Sequence, residues 1–248
     1  MTVAPLSPAW ICLVVVIAAL GVAAHFLLRR RSTQTKRRWL LALAGFTLAS
    51  SITFNIAYML NPPPQGFPPF QNLPLHLCTI VSWLMPIAVW YDFKPVRAVV
   101  FFPGTIAGLA ALFSAAPSYW HANLFDPKSF FWVAHEMNAV VPILLASLGF
   151  FRPTARWALA SLGWMVLLAL ATLPITLALR AWVDPGANYF YVFDPEGASV
   201  LELLHGWIGV PVLYLLPLPL LASPIVLGQW GIYRLATRRP RRLQAAAA

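Results

Sequence analysis

Charged side chains are scarce in this chain of 248 residues, and most of the few present are basic. They make up 10% of the sequence, whereas a soluble globular domain carries about a quarter. Only 7 residues are acidic, against 17 lysines and arginines, and only 2 are cysteines. The cysteine count excludes a disulfide-rich scaffold, and no hydrophilic stretch is long enough for a large soluble domain. The scarcity of charged residues and of cysteine therefore excludes an ordinary soluble globular protein and a small disulfide-linked protein.

Long apolar runs are the abundant feature. Hydrophobic residues make up 60% of the chain, in runs of about twenty, which as helices cross roughly 30 Å of hydrocarbon. Helices also satisfy their own backbone hydrogen bonds in lipid. The sequence therefore predicts an all-α polytopic membrane protein in which residues 1–248 form a single seven-helix transmembrane domain. The predicted spans are 9–28, 39–60, 73–90, 97–116, 130–151, 157–179 and 203–230.

Basic residues alternate along the predicted connections. Fifteen of the 17 fall in 29–38, 94–97, 152–156 and 234–242, and the other two are Lys128 and Arg180. The positive-inside rule then predicts an external N-terminus and a cytoplasmic C-terminus. Since these charges set topology and attract anionic lipid head groups, we expect membrane lipids as partners and no nucleic acid.

Polar residues of the predicted spans concentrate in the outer half of the membrane. Ionisable groups in hydrocarbon are expensive and commonly functional, so we expect these side chains to converge on an outward-facing cavity. Hydrogen bonds that only hold helices together are the alternative, and they are favoured for Asn55, Thr172 and Thr176. The remaining polar residues of this group are Tyr58, His76, Cys78, Thr79, Ser82, His135, Glu136, Asn138, Glu202 and His205.

Catalysis is the first interpretation of this group. A histidine can act as a general base near neutral pH, and His76 with Cys78 supplies the parts of a cysteine–histidine site. On a regular helix, however, residues two apart point about 200° away from each other. Glu202 and His205 have the Glu-x-x-His spacing of helical metal sites, which is a weak signal. We expect neither a metal nor another cofactor.

Four separated motifs resemble those of a known family. They are Leu-Pro-Leu-His-Leu-Cys at 73–78, Phe-Phe-Pro-Gly at 101–104, His135 followed by Val141 and Pro142, and Asn-Tyr-Phe-Tyr at 188–191 with Glu202 beyond it. Over about residues 40–230 the chain resembles the YwaF-type bacterial integral membrane proteins, which are distantly related to the eukaryotic transmembrane protein 164 family.

The resemblance implies seven spans in the bacterial cytoplasmic (inner) membrane. It also implies acyl transfer to a lysophospholipid, with a cysteine as the proposed nucleophile. That cysteine directly precedes the histidine matching His76, whereas Leu75 stands there in this chain.

We therefore expect a lipid-modifying enzyme, possible substrates being an acyl lipid or a lysophospholipid, or else a carrier or lipid-binding protein without catalysis. The candidate catalytic residues are His76, His135, Glu136 and Cys78. The candidate substrate-binding residues are Asn55, Tyr58, Asn138, Asn188, Tyr189, Tyr191 and Glu202, with Asn188 and Tyr189 expected to form a lid.

Overall fold

The structure is a computed structural model that describes residues 3–62, 73–115, 119–120, 125–196 and 199–237. The four C-terminal arginines of the predicted basic tail, at 238–242, lie outside these residues. The described part is helical, and short turns connect most of its elements. The helices are α1 (Pro8–Leu28), α2 (Thr33–Leu60), α3 (Leu77–Trp90), α4 (Lys94–Val99), α5 (Thr105–Ser114), α6 (Phe130–Ser147), α7 (Ala155–Trp182), α8 (Ser199–Ile208) and α9 (Leu218–Thr237).

Short polar residues fix where the longest helices begin. Ser7, Ser32 and Thr154 precede α1, α2 and α7, and each side chain accepts a hydrogen bond from a backbone N–H of the first turn. Such caps satisfy donors that have no partner within the helix. They explain why α2 and α7 begin ahead of the apolar runs on which the predicted spans 39–60 and 157–179 are based.

Helix α6 lies at the centre of the bundle and contacts α1, α2, α3 and α5. In the most apolar stretch of 18 residues within its segment, Pro127–Ser147, 78% of the residues are buried, whereas 6% are buried in the corresponding stretch of α1. Gly108 of α5 permits the closest approach, because a Cβ atom there would lie 2.5 Å from the His135 carbonyl oxygen. Small residues allow such close backbone contacts between helices in lipid. This contact fixes α5 against the turn of α6 that carries His135.

Six segments of the described residues are long and apolar enough to cross a membrane. Helix α3 is apolar but has only 14 residues, which as a helix is about 21 Å. Many large apolar side chains on the outer faces of α1, α7 and α9 are exposed, as expected for surfaces that face lipid. The chain is therefore a multi-pass integral membrane protein, while the total of seven spans and the orientation of the termini stay predictions.

A π-helical turn, Val100–Gly104, joins α4 to α5 into one segment. Pro103 lies inside this turn and has no N–H to donate, which disturbs the regular ladder of hydrogen bonds. The Gln229 side chain of α9 donates a hydrogen bond to the Phe101 carbonyl at 2.8 Å. The irregular turn thus anchors α9 to the interior of the bundle.

Two predicted spans differ from the structure. The span predicted to begin at residue 73 begins as a helix only at Leu77. The span predicted as continuous over 203–230 is divided into α8 and α9 by residues 209–217. Pro211 and Pro217 lie in this break and cannot donate backbone hydrogen bonds, and Gly209 and Val212 both have positive φ there.

Candidate active site

His76 lies just outside α3, although the sequence places it on a predicted helix. Its backbone is extended (φ −78°, ψ 151°), and it is the N-cap residue whose carbonyl accepts the first helical bond from Ile80. The 200° separation expected for two residues on one helix therefore does not apply to His76 and Cys78. The extended residue and the first turn of α3 can face a common neighbour.

Two tyrosines of the 183–198 segment lie against the His76 imidazole. The ring centroid of Tyr189 is 5.1 Å away and that of Tyr191 is 5.6 Å away. Tyr189 is fully buried and hydrogen-bonds with the Leu73 backbone. Tyr191 is 36% exposed, so it is the tyrosine that a ligand could reach.

Asn188 stabilises the conformation of the segment that carries both tyrosines, residues 188–196, which we call the tyrosine loop. Its side-chain oxygen accepts from the Phe193 N–H at 2.9 Å, and its amide nitrogen donates to the Asp194 carbonyl and the Glu196 carboxylate, both at 2.7 Å. With 3% of its surface exposed, Asn188 binds the loop itself. The role of Asn188 and Tyr189 as a lid stays a prediction.

The loop contains strained backbone at three residues that have side chains. Phe190, Tyr191 and Glu196 all have φ between 50° and 57°, a region that residues other than glycine rarely adopt. Such strain persists only where surrounding contacts impose it, and it is common at functional sites. Here the positive φ of Tyr191 determines the direction in which its side chain projects from the loop.

The break between α8 and α9 provides some of the contacts that stabilise this strained backbone. The Val212 N–H donates to the Val192 carbonyl at 2.6 Å, and the Tyr214 hydroxyl donates to the Tyr191 carbonyl. The His205 ring packs edge-on against Tyr214 at 5.1 Å. Glu202, on the same helix, is exposed. Tyr214 and the tyrosine loop therefore link His205 to His76.

Burial also raises the pKa of one carboxyl group in the tyrosine loop. Glu196 lies outside the spans, and its burial raises the pKa of its carboxyl group to about 7. The hydrogen bond from Asn188 opposes this rise, while the nearby negative charge of Asp194 adds to it. Glu196 therefore changes protonation near neutral pH, and its charge interacts electrostatically with Tyr191.

Cys78 has two phenols as neighbours. It interacts electrostatically with Tyr191 and with Tyr119, so Tyr191 is a neighbour of both His76 and Cys78. The Cys78 carbonyl accepts hydrogen bonds from Ser82 at 3.1 Å and from the Asn138 amide at 2.9 Å. The Asn138 side-chain oxygen lies 3.1 Å from the same Ser82 hydroxyl, so the single hydroxyl proton is shared between these two acceptors. Asn138 thus joins α3 to α6, with both ends of its amide engaged.

His135 lies among aromatic rings, close enough to His76 for an electrostatic interaction. Its Nδ1 lies 2.7 Å from the Phe131 carbonyl, so Nδ1 carries the proton and donates it, which leaves Nε2 as the acceptor. The Phe131 ring lies 4.1 Å away and the Phe54 ring 5.9 Å away. Tyr119 stacks on Phe131, with 4.4 Å between ring centroids. These rings form a continuous apolar wall beside His135.

Glu136 does not share this wall with His135. Successive residues of a helix point about 100° apart, and Glu136 hydrogen-bonds with the backbone of Ala18 in α1. It is 3% exposed, and its Oε2 has no hydrogen-bond partner among the described residues. The structure therefore separates the candidate carboxylate from the candidate base.

The other two candidates on α2 have different surroundings. Asn55 donates to the Ser51 carbonyl one turn earlier at 2.7 Å, a local bond within its own helix. Tyr58 is 2% exposed and packs against Tyr119 at 5.2 Å, with the Lys128 ammonium 5.5 Å from its ring centroid. Tyr58 therefore belongs to the aromatic wall and Asn55 to the helix that supports it.

Sequence reasoning missed several residues of this group. Tyr119 lies in a connection between predicted spans, and Tyr214 lies inside the span predicted as continuous. A signal for Tyr214 was present in Pro211 and Pro217, which flank it and indicate a break.

In the part of the chain that the structure describes, no three His, Cys, Asp or Glu side chains lie close enough together to hold a metal ion. Glu202 and His205 therefore have no third such side chain beside them among these residues.

Comparison with models of known protein families shows which family this chain belongs to. The model of the TMEM164 family matches residues 4–233. The chain belongs to the TMEM164 family. The match begins before α1 and ends within α9, so it covers the described helices from α1 to α8 and most of α9. No curated protein and no solved structure matches the chain. The narrower resemblance to YwaF-type bacterial proteins stays a prediction within this TMEM164 assignment.

Proposed function

We propose that this TMEM164-family protein transfers a fatty acyl chain from a membrane ester to a lysophospholipid. The observation that carries the proposal is the enclosure of the His76 imidazole by Tyr189 and Tyr191. The enclosed ring stands at the end of an apolar bundle, where lipid substrates can arrive directly from the bilayer. The acyl transfer implied by the resemblance of the four motifs supports the same reaction class.

In this proposal His76 is the general base. It takes the proton from the hydroxyl group of the lysophospholipid, whose oxygen then attacks the carbonyl carbon of the donor ester. The carbon–oxygen bond of the donor breaks next, and the leaving alkoxide takes the proton back from His76. Donor and acceptor thus exchange one acyl chain, and no proton or electron is left over.

The neighbouring side chains would orient and stabilise the reacting groups. The Tyr191 hydroxyl would donate a hydrogen bond to the oxyanion that develops on the ester. His135, with Nε2 free to accept, would orient the acceptor lipid. Tyr58 and Tyr119, as part of the aromatic wall, would pack against the acyl chain. Asn55, Asn138, Asn188 and Glu202 would act through the helices and the loop that they support.

Cys78 lines the site in this proposal and is not its nucleophile. Thiolates form where cations or helix N-termini stabilise their charge. Although Cys78 lies in the first turn of α3, its neighbours among the described residues are the phenols of Tyr119 and Tyr191, and neither carries the positive charge that stabilises a thiolate. Direct attack by the lipid hydroxyl also agrees with Leu75 standing where the related family has its cysteine.

A carrier or binding protein without catalysis is the second candidate. Pro86, Pro142 and Pro174 lie inside α3, α6 and α7, and Pro211 and Pro217 lie in the break before α9. Broken and kinked helices are typical of carriers that alternate between two openings. In this function His76 and the tyrosine loop would bind a solute or lipid and release it unchanged.

The site would lie at the outer surface of the bacterial inner membrane. The described end of the bundle that carries His76 holds Lys128 and Arg180, whereas most basic residues lie at the opposite end. This distribution supports an external N-terminus and a cytoplasmic C-terminus under the positive-inside rule.

Reconstitution separates the two functions. The purified protein is placed in liposomes with phosphatidylcholine bearing deuterated acyl chains and with lysophosphatidylethanolamine. Mass spectrometry should detect deuterated phosphatidylethanolamine that accumulates with time. If the folded protein binds these lipids but forms no such product, the carrier interpretation replaces the enzyme.

A further inference from the structure

A second polar site lies at the other end of the bundle. A cavity of about 210 Å³ opens between the connection from α3 to α4 and the connection from α6 to α7. His76 and Asp92 lie beyond opposite ends of the 14-residue α3, so the two sites are separated by about 20 Å along the helix axis. None of the residues that line the cavity belongs to the His76 site.

The cavity has a rigid polar floor. Arg97 is 4% exposed, and it donates hydrogen bonds to the carbonyls of Ala88 at 2.8 Å and of Phe150. It also forms an ion pair with Asp92. Arg97 therefore joins the two connections, and its charge is fixed in place before any ligand arrives.

Positive charge exceeds negative charge around this floor. Asp92 is the one carboxylate among the described lining residues, whereas Lys94, Arg97 and Arg152 are cations. Asp92 is already paired with Arg97, so Lys94 and Arg152 are left to attract an anion. Thr154, the N-cap of the 28-residue α7, also lines the cavity, and the N-terminus of a helix carries partial positive charge.

The remaining wall is aromatic. Phe150, Phe151 and Trp157 line it, and Trp157 lies in the first turn of α7, where tryptophans commonly mark the membrane interface. A fourth cation, Arg37, lies 5.9 Å from the Phe150 ring centroid. A ligand that suits this wall combines an anionic group with an apolar part.

We infer that this cavity binds the phosphate group of an anionic phospholipid. Basic pockets between helices near the membrane surface bind such head groups. Lys94 and Arg152 would contact the phosphate, and the glycerol and upper acyl chains would lie against Trp157. A phospholipid at this position would bridge the two connections that Arg97 joins. This assignment does not depend on acyl transfer at His76.

Native mass spectrometry of the purified full chain tests the assignment. Phosphatidylglycerol, phosphatidylcholine and inorganic phosphate are titrated separately. Wild type should bind phosphatidylglycerol at least fivefold more tightly than either of the other two. Equal binding of phosphatidylcholine would overturn the anionic specificity, and equal binding of inorganic phosphate would overturn the lipid assignment.

Variants then locate the bound lipid. Arg152→Gln and Lys94→Gln should each weaken phosphatidylglycerol binding by about fivefold, the effect of one basic residue near an anionic lipid. Both side chains are exposed, so the variants should keep the melting temperature of lipid-free wild type. The matched control is Arg31→Gln, which removes an exposed cation outside the cavity and should leave the affinity unchanged. Equal losses in all three variants, or no loss in Arg152→Gln, would overturn the site.

Discussion

The His76 imidazole lies 5.1 Å from the ring of Tyr189, which is fully buried and hydrogen-bonds with the backbone of Leu73. Tyr189 therefore holds both the histidine and the short segment that leads to it. Because His76 precedes α3, helical hydrogen bonds do not fix its direction, and the tyrosine supplies that constraint. Tyr189 is a positioning residue for the proposed base.

Tyr189→Phe should lower kcat more than it raises KM. The variant keeps the ring against His76 but loses the hydrogen bond to Leu73, at about 1 kcal/mol of stability. Steady-state acyl transfer and thermal unfolding measure the two effects. Tyr91→Phe, at a tyrosine that is 60% exposed, is the control and should match wild type. An unchanged kcat in Tyr189→Phe would contradict a positioning role.

Cys78→Ser should keep acyl transfer within about threefold of wild type, since the account gives the thiol no covalent step and the loss of an essential group costs 10²-fold or more. The rate is measured in the liposome assay, with Cys12→Ser as the control because Cys12 is exposed on α1. An acyl thioester trapped on Cys78, or a rate lost in Cys78→Ser alone, would show that the cysteine is the nucleophile.

Gly108→Ala should destabilise the protein by roughly 1–3 kcal/mol, as overpacking does. The added Cβ would lie 2.5 Å from the backbone oxygen of His135, and a backbone atom cannot move away as a flexible side chain can. Differential scanning calorimetry in detergent should show a lower melting temperature. Gly163→Ala and Gly45→Ala have open space at the Cβ position and should not lower it. Equal melting temperatures for all three would refute the close contact.

The tyrosine loop should be more stable at pH 5 than at pH 8. The pKa of Glu196 is about 7 in the folded protein, above its unfolded value, so the neutral carboxyl group is favoured by folding. This stabilisation is complete below the unfolded pKa near 4.5 and is lost as pH rises through 7. Hydrogen exchange of residues 188–196 should therefore become faster, relative to the intrinsic rate, as pH rises.

Glu196→Gln tests the origin of that pH dependence. The glutamine keeps an oxygen that can accept from Asn188 but cannot ionise, so the protection of the loop should become nearly independent of pH. Glu202→Gln changes an exposed carboxylate and should retain the wild-type profile. If Glu196→Gln also retains it, another group titrates in the loop.

The long apolar runs predicted α1, α2 and α7 because the need to cross lipid dominates their sequence. His76 and His135 could also be recognised as candidates from the sequence, because ionisable residues stand out in such runs, whereas their depth in the membrane stays a prediction. The contact of His76 with Tyr189 could not be predicted from local patterns, because Tyr189 lies more than a hundred residues away in the sequence. The break at 209–217 was obscured by the apolar residues around Pro211 and Pro217.

The contacts that assemble the site are long-range and lie beyond local sequence patterns. Tyr119 stacks on Phe131 across a connection, and Tyr214 supports Tyr191 from another helical segment. Positive φ at Phe190 and Tyr191 runs against the ordinary preference of both residues. Only the tertiary contacts of the loop explain these conformations. Likewise, adjacency in sequence suggested that His135 and Glu136 act together, whereas helix geometry directs them to different neighbours.

The central claim is that His76 transfers the proton during acyl exchange, and single-turnover transfer by wild type and His76→Ala tests it most directly. His25→Ala is the control, because His25 bonds to Ser147 and lies at the opposite end of the bundle. The account predicts a 10²- to 10⁴-fold lower rate in His76→Ala, with lipid binding and melting temperature retained and His25→Ala unaffected. A wild-type rate in a folded His76→Ala protein would contradict it.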